Sequence, residues 1–132
     1  MSATSYSFRD HLYRELINSP LADEISGKIF SGYRDKGSTT EDIVFYDFGA
    51  GNDAVQRAYM ILNIYVPDIH NGAEYKEDRA RCAELAQLAW EVLDEINLGD
   101  FFVEIEKQSS FAVQDEDVNE HGIRFDLNVK HF

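Results

Sequence analysis

The stretch Arg57–Val66, RAYMILNIYV, constrains the fold more than any other part of this chain. Its alternate positions Ala58, Met60, Leu62, Ile64 and Val66 are all apolar, and the opposite set, Tyr59, Ile61, Asn63 and Tyr65, is largely apolar too. Successive side chains of a strand point to opposite sides of a sheet, so a half-exposed strand alternates apolar and polar residues. A strand with this little to give to water must lie inside a sheet and be covered twice. One helix layer accounts for the first face. The second face needs either the N-terminal helix or a long loop of the same chain, or a neighbouring subunit.

The remaining elements follow from spacing. Ser7 is placed to cap a first helix whose apolar side is Phe8, Leu12, Leu16 and Ile17, with Asp10 near its positive end and Pro20 as its stop. Strands are predicted over Ile25–Tyr33, Glu41–Phe48 and Arg57–Val66, the last closed by Pro67. Glu77–Ile96 reads as a long helix: Cys82, Leu85, Ala86, Ala89, Leu93 and Ile96 share one face, and Gly99 follows as a stop signal. Two more strands, Phe101–Lys107 and His121–Lys130, complete the chain, the second with the cleanest alternation. The expectation is a single domain over residues 1–132. Its fold class is α+β, in the order α-β-β-β-α-β-β, with a largely antiparallel sheet of about five strands and the long helix packed on one face.

Charge narrows the function. With 25 acidic and 12 basic residues the formal net charge is −13, which repels nucleic acid and anionic membranes at long range. Neither is an expected partner. The one cysteine, Cys82, excludes an internal disulfide and fits a reducing compartment. The first residues lack the pattern of a signal peptide, and no apolar run approaches the roughly 20 residues that span a bilayer. Synthesis in a cytoplasm is the expectation.

Motifs for chemistry fail on inspection. Gly32–Thr39 has the outline of a phosphate loop, but Ser38 stands where lysine is required and a strand follows where a helix should open. Asp115, Asp117 and Asn119 have the opening spacing of a calcium loop, but Glu120 replaces its glycine and Asp126 its bidentate glutamate. The four histidines have no metal-ligand spacing, and Cys82 sits on an apolar helix face as a small core residue. No catalytic, cofactor or metal residue is assigned, and the chain is read as no enzyme. The candidate contacts are instead those of a protein interface: Arg34, Asp35 and Lys36 in one polar loop, Tyr59, Ile61 and Tyr65 on the surplus strand face, and Asp115, Glu116 and Asp117 in an acidic turn. The loops Arg34–Thr40, Pro67–Tyr75 and Gln114–His121 carry both charge signs and suit docking.

The ordered runs GKIF, STTEDIVFYDF, RAYMILNIYVPDI, RARCAELAQLAWEVLDEI, LGDFFVEIEKQSSF and HGIRFDLNVKHF together resemble the small tail-completion or tail-terminator proteins of long-tailed bacteriophages and their prophages. The resemblance covers nearly the whole chain. It implies an α+β fold and a homo-oligomeric ring, commonly a hexamer, in the virion tail. Such a ring caps the tail tube and meets the head connector, so tail-tube and head-connector proteins are the implied partners. It carries no catalytic residues. Two other classes fit the sequence: an acidic immunity or inhibitor module that neutralises a basic partner, and a small enzyme whose site assembles between subunits.

Overall fold

The computed structural model describes residues 4–52, 56–98, 101–115 and 118–131. The chain is α+β. Its helices are α1 (Ser5–Ile17), α2 (Pro20–Glu24) and α3 (Arg79–Glu95). Its strands are β1 (Ile29–Ser31), β2 (Asp42–Asn52), β3 (Gln56–Pro67), β4 (Ile69–His70), β5 (Tyr75–Lys76), β6 (Asn97–Leu98), β7 (Phe101–Asp115) and β8 (Val118–His131). The main sheet runs β1-β2-β3-β8-β7-β6, and only the β1–β2 pair is parallel. It amounts to five strands with the two-residue β6 on one edge. A separate two-stranded ribbon, β4–β5, lies between β3 and α3 in the chain.

All three helices bury their apolar sides on one face of this sheet. Phe8, Leu12 and Leu16 of α1, Leu21 of α2, and Leu85, Ala89 and Leu93 of α3 share a core with Ile43, Phe45, Met60, Leu62, Ile64, Phe125 and Leu127. Helix α1 sits over β1 and β2, whereas α3 sits over β7, β8 and, to a lesser extent, β3. The long helix therefore covers the β7 and β8 side of the sheet more than β3.

Several local expectations are corrected. The α1 N-cap is Thr4, and Ser7 is its N3 partner in a reciprocal capping box, each hydroxyl bonding the other's backbone. Asp10 accordingly lies past the first turn, where no acid stands, and Ile17 is exposed. Pro20 does not merely stop α1; it is the first residue of α2, where a missing N–H costs nothing. The strand expected over Ile25–Tyr33 shrinks to Ile29–Ser31, because Ile25 caps α2 and Tyr33 already points into solvent. Residues 114–121 do not form a long loop, since β7 runs to Asp115 and β8 starts at Val118. Gly99 lies outside the described residues.

Candidate protein interaction face

Among the described residues no helix packs on the second face of the sheet. Register places Val44 opposite Asn63, Tyr46 opposite Ile61, and Asp42 opposite Tyr65 across β2–β3. Across β3–β8 it places Tyr59 opposite Asn128, Ile61 opposite Asp126 and Asn63 opposite Arg124. Tyr59, Ile61, Asn63 and Tyr65 are what RAYMILNIYV shows to the side away from the helices, and the others flank them on β2 and β8.

The cover comes partly from the loop between β1 and β2. Parallel neighbours cannot be joined by a tight turn, so the chain must return before it enters β2. Asp42 holds that return. It is 1% exposed and accepts bonds from the Lys28 N–H (3.2 Å), the Thr40 hydroxyl (3.0 Å) and the Ser38 hydroxyl. Gly27 donates its N–H to the Glu41 carbonyl at 2.8 Å, an approach so close that a Cβ at 27 would collide with this backbone. The loop delivers Arg34, whose guanidinium lies 3.9 Å from the Tyr65 ring centre. Its two amino groups grip the Glu120 carboxylate, one of them at 3.0 Å. Burial works against the Arg34 charge, but the bond and field of Glu120 outweigh it and raise its pKa. Tyr65 in turn meets Phe111 of β7 edge to face, with ring centres 5.5 Å apart.

The residues expected at an interface thus divide. Arg34 and Tyr65 are brought together, but they engage each other and Glu120 within the chain. Asp35 and Lys36 remain exposed in the same loop. Ile61 is 2% exposed, so the single chain already covers it. Tyr59 is 48% exposed and is the residue of that strand face open to a partner. The Asp115 side chain, Glu116 and Asp117 lie outside the described residues, and with them the calcium-loop spacing.

Sequence reasoning missed Phe48, which is 67% exposed and stacks edge to face on Tyr46. The signal was present as the Tyr46/Phe48 pair two residues apart, but a bulge between Asp47 and Ala50 hides its direction. The polar side of the last strand, Arg124, Asp126 and Asn128, lies on this face as well. Asn63 Oδ1, Asn128 Oδ1 and Arg57 Nε are buried without a hydrogen-bond partner among the described residues.

At one end of the sheet the β1–β2 loop, Pro67, Asp68, Tyr75 and Glu120 frame an open cleft of about 680 Å³. Nearby, His121 Nδ1 lies 2.7 Å from Asp68 Oδ1, with Glu77 Oε2 3.6 Å from its other nitrogen. No nucleophile joins this cluster in the bonds described, and among the described residues no three His, Cys, Asp or Glu side chains are arranged to hold a metal. The Cys82 thiol is half-buried, and burial, with the nearby acids Glu77, Asp78, Asp68 and Glu41, pushes it up to about 11. It stays protonated near neutral pH, the inert form. No model of a known protein family matches the chain, and no curated protein matches it in sequence.

Proposed function

We propose that this protein is a non-enzymatic structural component of a long-tailed phage or prophage tail. In this reading it forms a ring at the head-proximal end of the tail tube or at the head–tail junction. The observation that carries the reading is the second sheet face, on which Tyr59 and Phe48 stand exposed. A neighbour that covers these two rings removes their apolar surface from water.

A ring uses head-to-tail contacts, so each subunit needs two different complementary surfaces. The second face supplies one. The cleft end, with exposed Asp35 and Lys36, supplies the other. Resemblance across the chain's ordered elements provides the phage context, and tail-tube and head-connector proteins are the partners it implies.

The test is mass measurement by light scattering over a concentration series, alone and with a tail-tube protein, followed by electron microscopy of any large species. Closed rings of one size are the expected product. A chain that stays monomeric under both conditions removes the reading.

A further inference from the structure

Strand β7 is paired along nearly its whole length by β8, but on its other side β6 reaches only Phe101 and Phe102. Among the described residues nothing pairs with that side beyond Phe102. Such an edge is a template for another strand unless it is guarded by charge, proline or a bulge. The first half is guarded: Glu104, Glu106 and Lys107 are charged, and the ladder shifts register between Ile105 and Lys107. The second half, Gln108–Val113 (QSSFAV), has no charge, no proline and an unbroken register.

Two further observations meet at this stretch. Trp90 of α3 is 44% exposed although the rest of the apolar side of that helix is covered. Its ring centre lies 6.1 Å from that of Phe125, and Phe125 pairs in register with Gln108. An indole is thus exposed one strand inward from the open edge, on the helix side. On the other side Phe111 and Val113 are partly uncovered. The second observation is charge: α3 packs on β7, exposes Glu84, Glu91, Asp94 and Glu95, and has no basic residue after Arg81.

We propose that the open edge Gln108–Val113 is a strand-addition site for an extended, basic segment of a partner protein, with one apolar side chain of that segment seated against Trp90. Main-chain hydrogen bonds supply affinity in such additions, and alternate side chains supply selectivity. The acidic flank sets the sign of the partner and opposes a second copy of this chain, which carries the same −13. The site uses a different surface from Tyr59 and Phe48 and does not depend on ring formation.

The probe is a synthetic peptide alternating valine and threonine, with two lysines at each end. Trp90 is the sole tryptophan and reports directly. Saturable, blue-shifted Trp90 emission is expected, with about tenfold weaker binding in high salt. Methylating alternate peptide nitrogens removes the ladder donors but keeps the charge, and should abolish the shift. Ser110→Lys, or Ala112→Lys if the first variant folds poorly, guards the edge and should abolish binding while melting like wild type. Three results overturn the proposal. One is no shift at millimolar peptide, and another is equal binding of the methylated peptide, which means charge alone. The third is a concentration-dependent doubling of mass that Ser110→Lys removes, which means a second copy takes the edge.

Discussion

Phe111 lies directly across from Gly122 in the β7–β8 ladder, and its ring occupies the space where a side chain at 122 would stand. A Cβ at Gly122 would meet the ring carbon Cε2 at 2.7 Å, with two other ring carbons closer still. A glycine inside the best-patterned strand is explained by this close approach, since glycine otherwise weakens a strand. The ring so placed supports Tyr65, and Tyr65 carries Arg34. One missing methyl group makes room for the stack of Phe111, Tyr65 and Arg34.

Gly122→Ala should therefore destabilise the protein by about 1–3 kcal/mol, the usual cost of overpacking, although alanine is the better strand former. In a Phe111→Leu background the same change should cost distinctly less, because the two sites are coupled. Urea unfolding of the four proteins measures this. Equal costs in both backgrounds would mean that the ring moves aside freely.

Tyr59 and Ile61 are two residues apart on one strand face, yet they should respond oppositely to charge. Ile61→Glu puts an unpaired carboxylate where the chain already excludes water, and should cost several kcal/mol and lower the melting point sharply. Tyr59→Glu faces solvent in the single chain and should melt within a degree or two of wild type. It should nevertheless abolish any self-association or binding to tail-tube protein. An Ile61→Glu variant that folds normally would place the cover outside this chain.

Arg81 ties three elements together. It bonds both Glu41 oxygens (2.5 and 2.8 Å), the Glu24 carboxylate and carbonyl, and Glu84. Arg81→Ala strands the nearly buried Glu41 and should cost about 3 kcal/mol. The Arg81 bond also holds the Glu41 pKa below its ordinary value of 4.5. That contribution is complete above pH 4.5 and is lost as pH falls through the lower folded value. Glu41→Gln should lower stability at neutral pH and flatten the acid limb of a melting-point series; an unchanged acid limb would assign it to other carboxylates.

His11 titrates in a separate window. Its ring stacks on Phe101 at 4.1 Å, Phe101 stacks on His131 at 4.7 Å, and His11 Nε2 is buried without a hydrogen-bond partner among the described residues. Burial lowers its pKa below 6.5; Glu15 opposes the shift, while Arg14 and His131 reinforce it. The unfolded chain then takes up the proton first, so stability should decline as pH falls below about 6.5 and level off below the folded value. His11→Phe should remove this decline while keeping the ring stack. A melting point equally flat in both proteins between pH 7 and pH 5 would exclude His11 as the titrating group.

Much of the first face was legible in the chain. The spacing of Leu85, Ala89 and Leu93, and the alternation of Met60, Leu62 and Ile64 or of Ile123, Phe125 and Leu127, are local patterns, and each places its residues in the core. The interaction residues were legible only as chemistry. Arg34 and Tyr65 could be named separately, but their stacking depends on a return loop fixed by Asp42, a residue with no signature of its own. The second half of β7 was invisible because QSSFAVQD has neither alternation nor strong strand propensity; it is a strand because β8 pairs with it.

Sequence by itself determined the α+β class, the long helix, the central strands and the acidic field, since each depends on residue type at short spacing. Only the tertiary structure decided that β1 joins β2 in parallel, that Arg34 closes over Tyr65, that Ile61 is covered and Tyr59 is not, and that half of β7 is left as an open edge. Those outcomes depend on which distant strands pair and where the chain must return between them, and no local period in the residues carries that information.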